Sequence, residues 1–362
     1  MSVNDLRPSQ RAALLAAGGI ALVLGVLGGL WRLGWDVPLP GTEPASFHGA
    51  LTVAAFFGTL IGLEHAVASG RRLAYLGPAC TALGGLATAA GAPHPAAAAL
   101  LLAGSLLLAL LAYGNWRQDR MPHAALMLAG ALCGATGNAL WLAGFPGNAA
   151  AGMWLAFLVL TVVGERLELS HLRRPGPSAL ALLGAATLAL IGGALAAAWT
   201  WRLGAAAMGA GLVGLSLWLL VEDVARRNLR HQRQARFTAL CLVGGYVWLG
   251  IGGLALPFAE AGGPVYDAAL HAVFLGFVFA AFMGHAAAIL PNLLPIDLPY
   301  SSLFYLHLVL LNATLLLRVG GDGLARPEWA AWGGAGNAAA LALFLLLTAF
   351  SASRGRRRQP RD

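Results

Sequence analysis

Twelve stretches of about twenty largely apolar residues run through this chain, and they leave it few ways to fold. A bilayer's hydrocarbon core is about 30 Å thick and takes about 20 helical residues to cross. Only helices and closed barrels can satisfy their backbone polar groups inside it. The stretches lie near 12–35, 47–69, 73–91, 96–114, 122–144, 149–170, 178–199, 203–222, 236–258, 268–290, 300–318 and 328–351. Composition agrees. Of the 362 residues, 59% are hydrophobic and 10% charged, and the mean hydropathy of +0.72 lies well outside the soluble range. No soluble domain, repeat or long linker interrupts the pattern, so 1–362 reads as a single all-α transmembrane domain.

Charge sets the orientation. Every one of the 23 basic residues is arginine, and cytoplasmic loops are where arginine collects. With the N-terminus inside, Arg7, Arg11, Arg71, Arg72, Arg117, Arg120, Arg166, Arg173, Arg174, the run from Arg226 to Arg236 and the C-terminal tail all fall on the inner side. Only Arg32, Arg202, Arg318 and Arg326 fall outside, a split of nineteen to four. An extra or missing helix early in the chain would scramble that split, so both termini are expected in the cytoplasm of a bacterial inner membrane. Tryptophans 31, 35, 141, 199, 201, 329 and 332 gather at the outer ends, where indole prefers the interface. The arginines thus report topology and contact with anionic lipid, and no nucleic-acid partner is expected. The first apolar run is too long for a signal peptide and lacks a cleavage site. Cys80, Cys133 and Cys241 stand singly, with no C-x-x-C pair, and read as small core residues. Gly25 with Gly29, Gly58 with Gly62 and Gly130 with Gly134 are spaced to let helices approach closely.

Ionisable groups inside a bilayer are costly and usually functional. His48 opens helix 2 from the outer face, and His271 opens helix 10 from the same face at nearly the same depth. Two imidazoles at one depth on separate helices can hold a haem iron from both sides. His285 follows His271 by fourteen residues, 40° short of four full turns at about 100° per residue, and therefore shares its face about 21 Å further in. His307 on helix 11 lies near that inner depth and is the expected partner of His285 in a second, inner haem or metal centre. His65, beside Glu64 on helix 2, is a further candidate ligand. His48 and His65 are about 260° apart, so they do not both face one centre. His123 and His171 read as interfacial structural groups, and His94 and His231 as solvated. Glu165 and Arg166 form part of a charge cluster at the inner end of helix 6.

The twelve-helix topology, with histidines at the outer ends of helices 2 and 10, resembles subunit I of the haem-copper oxidases and nitric oxide reductases. Phe47-His48-Gly49-Ala50-Leu51, and the stretch from His271 through Gly276-Phe277-Val278-Phe279 to Gly284-His285, are similar to the NnrS-like group of membrane haem proteins linked to nitric oxide response. The resemblance implies a haem-copper oxidase-like bundle carrying haem b, with copper as a second candidate metal. It also implies electron transfer or nitric oxide handling in respiratory or nitrogen-oxide metabolism, with a respiratory redox partner. The chain departs from the oxidases at their copper site. Helix 6 has no His-Pro-Glu-Val-Tyr-type motif and helix 7 has no histidine, so no oxygen-reducing centre is expected. A secondary transporter of a small solute and an assembly factor for a respiratory complex are the alternatives from other classes.

Overall fold

Residues 5–169 and 175–356 are described in the computed structural model, and every regular element among them is helical. The principal helices are α1 (Pro8–Arg32), α2 (Ala50–Ser69), α3 (Leu76–Ala89), α4 (His94–Asp119), α5 (Pro122–Leu142), α6 (Gly147–Leu169), α7 (Pro177–Ala196), α8 (Trp201–Glu222), α9 (Arg233–Phe258), α10 (Pro264–Leu293), α11 (Phe304–Gly323) and α12 (Pro327–Gly355). Local chemistry sets many of the boundaries. Pro8, Pro122, Pro177, Pro264 and Pro327 each open a helix, where the missing N–H costs nothing and φ is already helical. Gly70, Gly91 and Gly144 follow helix ends at φ 62°, 71° and 76°, the left-handed conformation that terminates a helix with little strain.

Eleven helices among the described residues are long and apolar enough to cross a membrane. The exception is α3, which lies on the expected third span. Its α-helical part has 14 residues and is preceded by a 3₁₀ turn, Arg72–Tyr75. At about 1.5 Å per α residue and 2.0 Å per 3₁₀ residue the two together reach about 29 Å. His171, Arg173 and Arg174 at the expected end of helix 6, and Arg357, Arg358 and Arg361 in the tail, lie outside the described residues.

The helices pack as two compact units, one of residues 1–165 with 292–294 and one of residues 166–291 with 295–362. In the first, α1 packs on α2 and α3, α3 on α4, and α4 on α5. Glycines set how closely these helices approach. A Cβ at Gly25 would lie 2.7 Å from Thr52 Cγ2, and one at Gly130 would lie 3.0 Å from the Phe157 carbonyl oxygen. The carboxylate of Asp5 accepts from the Tyr75 hydroxyl and the Arg11 guanidinium, tying the chain's start to the turn before α3. Burial raises the Asp5 pKa, but those two donors outweigh it and hold the carboxyl below its ordinary 3.8. At the far end of α3, Gly91 lies against the Glu43 side chain in the α1–α2 connection. In the second unit, α7 pairs with α8, α8 with α9, α9 with α10, α10 with α11, and α11 with α12.

Candidate functional site

The two histidines that stand out in the sequence share an uncommon local structure. Immediately after His48 the backbone of α2 runs as a π-helix, Ala50–Phe57, before becoming α-helical at Gly58. Immediately after His271 the backbone of α10 does the same over Ala272–Phe279. π-Helical turns are rare and often lie at functional sites.

In the first unit, His48 Nδ1 lies 2.7 Å from the Gly25 carbonyl oxygen of α1. A carbonyl can only accept, so Nδ1 carries the proton and Nε2 the lone pair. Gly29, one turn on, makes room for the ring, since a Cβ there would come within 3.1 Å of His48 Cε1. The Thr52 hydroxyl donates to the His48 carbonyl at 2.9 Å. Around this entrance, Phe47 meets Trp141 edge-on at 5.6 Å, and the Trp154 indole donates to Asn138 Oδ1 at 2.9 Å. His94, which the sequence places in solvent, is half-buried instead, its ring 4.6 Å from that of Trp141. His65 lies half-buried beside half-buried Glu64 in the last two turns of α2. His123 Nε2 pairs with Asp119 at 3.1 Å, the structural role its interfacial position suggests.

In the second unit, His271 Nδ1 donates to the Asp267 carbonyl at 2.8 Å. It also lies 3.2 Å from the Asp267 carboxylate. Arg318 of α11 holds that carboxylate at 2.8 Å, and its own side chain is only 9% exposed. The sequence reading missed this Asp267–His271–Arg318 group. The four-residue spacing of Asp267 and His271 is a legible signal, but Arg318 reads there only as one of the few outer charges.

His285 sits differently from what its spacing implies. Its Nδ1 donates to the Ala281 carbonyl at 2.9 Å, and its Nε2 accepts from Arg166 Nη1 at 3.2 Å. Arg166 also grips Asp223 with two parallel bonds, Nε to Oδ2 at 2.7 Å and Nη2 to Oδ1 at 3.1 Å. The two side chains are 6% and 1% exposed. The π segment explains the change of direction. Over its eight residues the turn per residue is smaller than the α-helical 100°, so the fourteen-residue spacing no longer fixes a shared face. His307 lies in an aromatic cage, 5.8 Å from Phe237 and 5.3 Å from Phe344 between ring centroids. Its Nδ1 has no hydrogen-bond partner among the described residues. No hydrogen bond or ring contact joins His285 to His307 among the described residues.

The donor sets can be tested against the expected cofactors. A metal-ligating histidine commits one ring N–H to a carbonyl or carboxylate, which fixes the tautomer and leaves the other nitrogen for the metal. His48 and His271 make the first of these bonds, each through Nδ1 to a backbone carbonyl. At His285 the second nitrogen is already engaged by a guanidinium. A copper centre needs several convergent donors, and no group of three or more His, Cys, Asp or Glu is arranged to hold a metal ion among the described residues.

Eleven membrane-length apolar helices among the described residues define a multi-pass helical membrane protein. Within that class the chain belongs to the family described as Domain of unknown function (DUF8744), whose model matches residues 11–353. No curated protein matches it.

Proposed function

We propose that this chain is a twelve-helix b-type haem protein of the bacterial inner membrane, of the NnrS-like or haem-copper oxidase-like kind. It would serve in electron transfer or nitric oxide handling, with His48 and His271 as the imidazoles that would hold haem. One observation carries the reading: each of the two histidines heads a π-helical segment and has its Nδ1–H committed to a backbone carbonyl. A haem ligated by imidazole supplies a one-electron couple whose potential follows the hydrogen bonding and burial of its ligands. The protein's own part is to orient those ligands. The Gly25 carbonyl and the space at Gly29 hold the His48 ring, while Asp267, held in turn by Arg318, fixes the tautomer of His271. His285 and His307 stay outside the ligand set in this reading, as does His65, and copper has no part in it.

Twelve spans with both termini in the cytoplasm accord with the arginine distribution. They are supported further by α3, which leads from the turn bonded to Asp5 to the loop beside Glu43. The basic segment from Arg226 to Arg236 then meets anionic lipid, and a respiratory protein is the expected redox partner. The test is the absorption spectrum of protein purified from cells supplied with haem precursor, oxidised and then dithionite-reduced. A Soret band with sharp α and β bands is expected, and His48→Ala or His271→Ala should abolish the low-spin spectrum. A colourless preparation overturns the proposal. It would favour the second reading, a small-solute carrier, to which the division into two helical units with disrupted helices α2 and α10 also lends itself.

A further inference from the structure

A cavity of about 130 Å³ lies at one end of the α11–α12 pair, far larger than the roughly 10–15 Å³ that admits one water. The residues before and at the start of α11 (Tyr300, Ser301, Phe304) and the last turns of α12 (Leu347, Phe350, Arg354) line it. The start of one spanning helix and the end of its neighbour place it at the membrane–water boundary. Its lining is divided to match. Leu303 and Phe350 are 41% and 49% exposed at its rim and form an apolar wall. Arg354 and the serine and tyrosine hydroxyls supply the polar side. The floor is fixed by the buried Ser351 hydroxyl, which donates to the Pro299 carbonyl at 2.7 Å.

Arg354 makes no ion pair among the described residues. Its guanidinium lies over the Phe350 ring at 5.1 Å, an arrangement that orients the planar donor fork and leaves its edge available. A cation in the last turn of a helix is favoured by the helix dipole, which accounts for an arginine there but not for the cavity beside it. Arg236, at the start of α9, lies within electrostatic reach of Tyr305 next to the cavity wall. Asp297 packs against Gly355, one residue beyond Arg354.

We propose that this cavity is a binding site for one anionic phospholipid, its phosphate held by Arg354 and the neighbouring hydroxyls and its acyl chains lying on Leu303 and Phe350. A guanidinium suits a phosphate because it donates in parallel to two oxygens. The site is separate from the diffuse attraction of the 226–230 arginines, and it does not rest on haem binding.

The test uses the full-length protein, stripped of lipid in detergent and titrated with phosphatidylglycerol, phosphatidylcholine or inorganic phosphate. Bound lipid is counted by native mass spectrometry, and the melting temperature is followed in parallel. Wild type is expected to retain one phosphatidylglycerol and to melt higher with it, with little response to phosphatidylcholine. Arg354→Gln should lower occupancy at least fivefold while melting as wild type without lipid, and Arg354→Lys should recover part of it. Exchanging Arg226, Arg227 and Arg230 for glutamine should leave the bound lipid in place. Equal retention by Arg354→Gln overturns the site, as does loss in the triple loop variant alone. Equal binding of phosphatidylcholine would reduce it to an apolar groove, and the same thermal shift from inorganic phosphate would make it a free-anion site. Either result refutes the lipid assignment.

Discussion

Arg166 and Asp223 are a charge pair taken almost wholly out of water, with His285 as third member. Removing two ions from water costs several kcal/mol each, recovered only when geometry and hydrogen bonding are good. Here both requirements are met. The guanidinium bonds in parallel to both carboxylate oxygens, its remaining edge meets an imidazole, and Asp223 Oδ1 also accepts from the Ala225 amide at 2.5 Å. Asp223→Leu should therefore cost about 3–5 kcal/mol, because it strands a buried guanidinium. Replacing the partner too, as Arg166→Met with Asp223→Leu, should recover much of the loss. Denaturant unfolding in detergent measures both, and a single variant as stable as wild type would remove the pair from any structural role. The partner of Arg166 comes from a residue 57 positions away, which its place beside Glu165 in the sequence does not signal.

At the scale of the helix, the entrance of α2 is shaped by glycines on α1. The four-residue spacing of Gly25 and Gly29 is legible in the sequence, but that Gly29 faces the His48 ring is not. Gly29→Val should force the imidazole aside, costing about 1–3 kcal/mol by overpacking and lowering haem content or broadening its α band. A side-chain carbon added at Gly19 on the same helix would meet nothing within 4 Å, so Gly19→Val should leave spectrum and stability near wild type. An unchanged spectrum in Gly29→Val would separate His48 from the cofactor. The π segments belong to this scale too. Ala272–Phe279 carries no proline or capping signal, and its backbone geometry accompanies close packing in which Trp248 of α9 leaves no room for a side chain at Gly276. A periodicity of 100° per residue cannot anticipate such a turn, so the fourteen-residue spacing of His271 and His285 does not by itself set a shared face.

For the whole molecule, the arginine distribution and the count of spans depend on one another. If α3 crosses the bilayer, the number of spans is even and the termini share a side; if it does not, every later loop changes side. Alkaline phosphatase, active only outside the cytoplasm, should be inactive when fused after Ala235 and active when fused after Gly262. The reverse pattern would put the entrance of α10, and with it His271, on the inner side. A further fusion after Gly91, expected to be active, tests α3 directly.

Apolar run length, proline and glycine at the boundaries, and arginine bias are properties of contiguous sequence, which is why they locate α1 to α12 within a few residues and mark His48 and His271 as costly groups needing a purpose. The partners of the buried charges are another matter. Asp223 for Arg166, Arg318 for Asp267 and the Gly25 carbonyl for His48 lie tens of residues away, and each is chosen by which helix faces which. Helix rotation is set by packing, and by two π turns that packing accommodates. The tertiary structure alone therefore decided that His285 meets an arginine and that His307 lies among aromatic rings.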